Sequence, residues 1–134
     1  MGSKVAKFGG SSLSYAEQFV RVREIISADP ERTYIVPSAP GKRSDEETKI
    51  TDLLYQAQEI AGNEGFDEIF GRIEERYTGI VAGLGLDLDI RSLLDTIRAD
   101  ILGGLGPDYA ASRGEYLCGV ILAAYLGFTF VDAA

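Results

Sequence analysis

The chain contains no histidine and a single cysteine, Cys118. The first absence removes imidazole general bases, Ser-His-Asp triads and histidine metal ligands. The second rules out an internal disulfide and any multi-cysteine zinc site, and it suits a reduced, cytoplasmic setting. Basic residues are also scarce: 13 Lys and Arg stand against 21 Asp and Glu, a formal charge of −8. Nucleic-acid backbones are held by clustered cations, so no nucleic-acid partner is expected. Any phosphate bound here has to be met by a local cation. No stretch approaches the roughly 20 apolar residues of a membrane span, and no signal-peptide pattern leads the chain. Met1-Gly2 begins like a myristoylation signal, but Ala6 stands where Ser or Thr is required. No membrane partner is expected either.

What is present suits a globular domain. Of the 134 residues, 46% are apolar and 25% charged, without low-complexity stretches. That is enough for a real core and for one domain at most. Lys4 to Phe8 reads as a short buried strand. Ser14-Tyr15-Ala16-Glu17 has the spacing of a capping box, and Tyr15, Phe19, Val22 and Ile26 follow as a helical stripe ending before Asp29-Pro30. Thr33 to Val36 is a second strand. Strand, turn, helix, strand is the pattern of a parallel sheet, whose ligands bind beyond the carboxyl ends of the strands.

After a polar loop over residues 38–47, helical periodicity takes over. Ile50, Leu53, Leu54 and Ala57 begin one helix. Phe66 through Leu84 carries the cleanest stripe, closed by Gly83 and Gly85, and Ile90 through Leu105 forms a fourth helix broken at Gly106-Pro107. A last helix from about Asp108 to Leu126 leads into a third strand, Phe128 to Val131. Three strands are few for so many helices, and the chain stops at Ala134 as the third one finishes. The expectation is a portion of a larger sheet.

Two phosphate-binding signatures fail. Gly41-Lys42 invites a P-loop reading, but Val36 replaces the leading glycine and Arg43 replaces the magnesium-holding Ser or Thr. No spaced dinucleotide fingerprint exists, since Gly9 and Gly10 are adjacent. What remains is "KFGGSS". Gly9 and Gly10 let backbone amides approach an anion, the following helix is expected to point its dipole there, and Lys7 offers a compact charge at the strand end. The plain alternative is a surface lysine before a tight turn.

Glu115 is the second signal. At helical spacing its stripe holds Ala111, Ser112, Cys118, Gly119 and Leu122, all small or apolar. A carboxylate there either meets a cation, such as a substrate ammonium, or suffers desolvation. The alternative is a half-exposed helix glutamate beside Arg113. Ser38, just past a strand end, and Thr51, near a helix start, are hydroxyls able to orient a carboxylate, or simply capping residues.

Taken in order, "KFGGSS", "VPSAPGKR", "KITDLL" and "SRGEYLCGVILAAYLG" resemble the aspartate kinases, and the resemblance runs from Lys4 to Asp132. It implies an α/β fold, the N-terminal portion of a three-layer α/β/α amino acid kinase sandwich with a mainly parallel sheet. It implies transfer of the ATP γ-phosphate, with magnesium, to the side-chain carboxylate of L-aspartate. That is the entry step to lysine, threonine and methionine. Lys7 then matches the catalytic lysine on the phosphoryl group, with Gly9, Gly10 and Ser11 at the ATP phosphates. Ser38, Ala39, Thr51 and Glu115 match the aspartate-binding positions, Glu115 taking the α-ammonium. No protein metal ligand is implied among these positions, and a cytoplasmic homo-oligomer is.

The match has limits. The family continues into a glycine-rich segment bearing an arginine and an aspartate, into a nucleotide-base pocket and into ACT domains, none of which has a counterpart here. Residues 1–134 alone are therefore expected to lack turnover. Two other readings stay open: a glutamate, acetylglutamate or carbamate kinase of the same fold, and a non-catalytic amino-acid-binding or assembly module. Acetylglutamate fits poorly, having no free amino group for Glu115.

Overall fold

The computed structural model describes residues 3–44 and 46–131. Strand β1 (Lys4–Phe8) pairs in parallel with β2 (Arg32–Pro37), and the connection between them carries a 3-10 turn (Gly10–Leu13) and helix α1 (Ala16–Ser27). Lys7 lies opposite Val36 and Phe8 opposite Pro37, with one irregularity at the start of β1. The loops that leave the two strands therefore emerge side by side at one end of the sheet.

Four helices follow among the described residues: α2 (Ile50–Glu59), α3 (Phe66–Leu84), α4 (Ile90–Leu102) and α5 (Pro107–Leu126). Their ends follow local chemistry. Pro107 occupies the first turn of α5, where its missing N–H costs nothing. Gly85, at φ +65°, closes α3, and Leu86 N–H reaches back to the Val81 carbonyl at 3.1 Å. Asp89 caps α4 by accepting from Ser92 N–H at 3.2 Å.

Helix α3 is the hub, packing against α1, α2, α4 and α5. Its stripe of Phe70, Ile73 and Tyr77 is fully buried and meets Phe19 of α1, Leu54 of α2, Leu94 of α4 and Leu117 of α5 in one core. Each such side chain contributes about 1.5–3 kcal/mol by leaving water. The helices thus hold one another, and the two ligand-side loops are carried on a rigid frame.

Several expectations from the sequence are corrected. The capping box does not form. Ser14 is buried and donates instead to the carbonyls of Gly10 and Ser11, both at 3.2 Å, while Tyr15 stands at the N-cap without a side-chain cap. Strand β1 is mostly not buried: Phe8 is its one buried residue, Ala6 packs partly buried against the core, and Val5 is 67% exposed. Helix α4 ends at Leu102, ahead of Leu105, because Gly104 adopts φ +99°. Gly83 lies inside α3, so Gly85 alone is the stop. Residues 128–131 form no strand. Phe130 packs instead on α5, its ring edge-on to Tyr116 with centroids 5.5 Å apart, and against Gly119. Among the described residues the sheet has two strands; Asp132, at the end of the expected third strand, lies outside them.

Candidate active site

The structure joins the two loops through backbone. Ser38 N–H donates to the Phe8 carbonyl at 3.0 Å, and Gly41 N–H donates to the Gly10 carbonyl at 2.8 Å. This approach is what makes two glycines necessary. A Cβ at Gly41 would lie 2.7 Å from the Gly10 carbonyl carbon, and one at Gly10 would lie 3.0 Å from the Ala39 oxygen. Gly9 is different: its backbone is extended at φ −77°, and a Cβ there would meet nothing within 4 Å. Packing accounts for Gly10, while Gly9 leaves the outer face of the turn bare.

Lys7 is exposed at the end of β1, and no carboxylate of the described residues pairs with it. Ser11 is exposed within the 3-10 turn. The dipole expected from the next helix does not reach this turn, because α1 starts only at Ala16, after the 3-10 turn and Ser14-Tyr15. The dipole of α1 therefore adds nothing to Lys7 and the backbone amides of the turn.

On the other side, Ala39 and the start of α2 converge on α5. A Cβ at Gly114 would sit 3.0 Å from the Ala39 Cβ, 3.3 Å from Leu54 Cδ1 and 3.6 Å from Ile50 Cγ2. The bare backbone of Gly114 thus receives both the 38–41 loop and the first turn of α2, where Thr51 follows Ile50. Glu115 is the next residue. It is exposed rather than enclosed, and it lines a cavity of about 500 Å³ between β2, α5 and residues 128–131. No cation of the described residues pairs with it. Arg113, its proposed neighbour, is buried between the rings of Tyr109 and Tyr116, 5.0 and 4.4 Å from their centroids. Cys118, one turn on, is fully enclosed; burial first, and the Glu115 charge second, push its thiol well above the ordinary range.

Arg76 is the residue that the sequence reading missed. It projects from α3 and is 3% exposed. Its Nη2 donates to the Ser14 carbonyl at 3.0 Å and to the Gly41 carbonyl at 2.6 Å, and its Nη1 faces Glu47 Oε1 at 3.3 Å. The signal was present: Arg76 is a charge three residues after Ile73 and four before Ile80, which places it on the apolar face of α3.

Comparison with known proteins now bears on this arrangement. No protein-family model matches the chain. Aspartokinase 3 of Bacillus subtilis is 36% identical over 97% of the chain. The crystal structure of Clostridium acetobutylicum aspartate kinase superposes with a TM-score of 0.93 at 52% identity, again over 97% of the chain. The chain is homologous to the aspartate kinases. It spans about 30% of the length of each of these two relatives. Escherichia coli aspartokinase III, solved with aspartate and ADP, shares the fold at a TM-score of 0.73 and 23% identity. The homologous segment is thus the N-terminal portion of the amino acid kinase fold, an α/β unit whose small parallel sheet is flanked by helices. Among its described residues, no helix is long and apolar enough to cross a membrane.

Proposed function

We propose that this chain forms the substrate-side portion of an aspartate kinase. The whole enzyme transfers the ATP γ-phosphate to the side-chain carboxylate of L-aspartate, giving 4-phospho-L-aspartate and ADP. It thereby opens the route to lysine, threonine and methionine. The observation that carries the reading is the backbone contact of Gly10 with Gly41, which holds the bare turn after Lys7 against the loop whose Ala39 packs on Gly114, the residue before Glu115.

In this reading Lys7, Gly9, Gly10 and Ser11 face the ATP phosphates. An exposed ammonium and an open backbone at Gly9 suit a polyphosphate. Magnesium enters as the nucleotide chelate and offsets phosphate charge. Ser38, Ala39, Thr51 and Glu115 receive aspartate, the Glu115 carboxylate meeting its ammonium. An aspartate carboxylate oxygen forms the new bond to γ-phosphorus as the bond to the ADP oxygen breaks, so no proton has to move. The chain contributes positioning and charge neutralisation, with Lys7 on the phosphoryl oxygens where charge is redistributed in the transition state. A cytoplasmic homo-oligomer is part of the same proposal.

Residues 1–134 alone span 30% of their relatives' length, and we place the adenine-holding groups outside them, so the isolated segment should not turn over. The test is coupled ADP release by the natural enzyme that carries this segment, with ATP and magnesium. Aspartate-dependent release supports the reading. Preference for glutamate or carbamate would move the protein to another kinase of the fold. Aspartate binding without turnover would leave a binding module.

A further inference from the structure

The chemistry assigned above leaves unused the most deeply buried charge of the described residues, Arg76. Burying a guanidinium is expensive, and an apolar side chain would suit the α3 stripe better on energetic grounds alone. Arg76 is nevertheless held at 3% exposure, with Nε lacking a hydrogen bond and Nη1 reaching only the ion pair to Glu47. Its one well-placed nitrogen, Nη2, bridges the carbonyls of Ser14 and Gly41. Ser14 closes the glycine turn, and Gly41 closes the loop that begins at Ser38. Glu47 completes the arrangement by accepting from the Arg43 N–H and Nε, both at 2.6 Å, so the far end of the same loop is tied in. A planar fork fixed in the core is suited to hold two backbone segments at one separation.

We propose that Arg76 is a positioning residue. It sets the spacing between the glycine turn and the 38–41 loop, and hence between the phosphoryl group and the accepting carboxylate, with Glu47 as its anchor. This rests on the functional reading above. Because Arg76 reaches neither group directly, its loss acts on alignment rather than on the affinity of either substrate.

The test uses the natural enzyme with Arg76→Met, Arg76→Lys and Glu47→Gln. Arg76→Met should lower kcat at least tenfold while KM for ATP and for aspartate each change less than threefold. Arg76→Lys, which keeps donors but not the fork, should recover at least threefold of that loss. If Arg76→Met does not fold, Glu47→Gln decides, since it leaves Arg76 in place; a kcat reduced threefold or more with unchanged KM supports the role. A kcat within twofold of wild type in the folded variants, or a fall in melting temperature alone, overturns it. Should the wild-type enzyme show no aspartate-dependent ADP release, the functional reading fails separately. Amide exchange then still tests the joint. The Gly41 N–H, which donates to Gly10, should lose at least tenfold protection in Arg76→Met or Glu47→Gln, and unchanged protection overturns the proposal.

Discussion

The hydroxyl of Tyr77 donates to the carbonyl oxygen of Gly114 at 3.0 Å inside the core. The bond ties the central helix to α5 one residue before Glu115, so the backbone that carries Glu115 is held from behind by a buried contact. Tyr77→Phe removes the donor but leaves the Gly114 carbonyl its partner within the helix. The expected loss is therefore that of one net hydrogen bond, about 1 kcal/mol, measured by urea unfolding. A loss above about 3 kcal/mol would mean that the hydroxyl supports more than this one carbonyl.

Gly114 itself has a second consequence. Gly114→Ala would place a methyl group 3.0 Å from the Ala39 Cβ and 3.3 Å from Leu54 Cδ1. Overpacking of this kind costs about 1–3 kcal/mol. It should also displace the 38–41 loop and raise KM for aspartate more than KM for ATP. An unchanged melting temperature would show that α5 can slide away at no cost, contrary to the packing described here.

Lys7→Ala should lower turnover far more than aspartate affinity. An ammonium on a transferring phosphoryl group acts mainly in the transition state, and losing such a group costs about 3 kcal/mol or more, some hundredfold in kcat. Steady-state kinetics of the natural enzyme decide this. A variant with near-normal kcat would return Lys7 to the status of a surface lysine at a strand end.

Glu115→Gln should show the opposite pattern. Its carboxylate lines the α5 cavity without a cation partner among the described residues, so in the proposed complex the substrate ammonium is its partner. Removing the charge should raise KM for aspartate roughly tenfold, about 1.4 kcal/mol, with a smaller effect on kcat. Unchanged aspartate binding would reduce Glu115 to an exposed helix residue.

The sequence carried the helices and the chain order well, because the stripes of Phe19, Val22 and Ile26 and of Phe70, Ile73 and Tyr77 follow one period over several turns. It misled where a local signal competed with tertiary packing. Ser14 has the spacing of an N-cap, but burial turned its hydroxyl back onto Gly10 and Ser11. The run Phe128 to Val131 alternates like a strand, yet it forms no strand, and Phe130 packs on Tyr116 and Gly119 of α5. Helix α5 is apolar on most of its surface, so the small neighbours of Glu115 suggested an enclosed carboxylate where the structure has an exposed one. Arg76 left a sequence signal, a charge between Ile73 and Ile80, but its role shows only where the carbonyls of Ser14 and Gly41 converge on it.

The same core makes stability depend on alkaline pH. Burial pushes the Tyr77 phenol well above its ordinary value. Burial, and then the hydrogen bond to Asp100, raise Tyr109 to about 12, and burial also raises the Cys118 thiol. All three groups keep their protons in the folded state, whereas the unfolded chain releases them near pH 8.5 for the thiol and 10 for the phenols. The unfolded state then binds fewer protons, so stability is fully present below those unfolded values and falls as pH rises toward the folded ones. For a group as enclosed as Tyr77 the slope is at most about 1.4 kcal/mol per pH unit. Urea unfolding at pH 7, 9 and 10.5 should show this decline. Tyr77→Phe, weaker than wild type at pH 7, lacks one of the three ionisations, so the gap between the two proteins should narrow at pH 10.5. A gap that stays constant or widens would mean that the Tyr77 hydroxyl is open to solvent, and the buried bond to Gly114 would have to be abandoned.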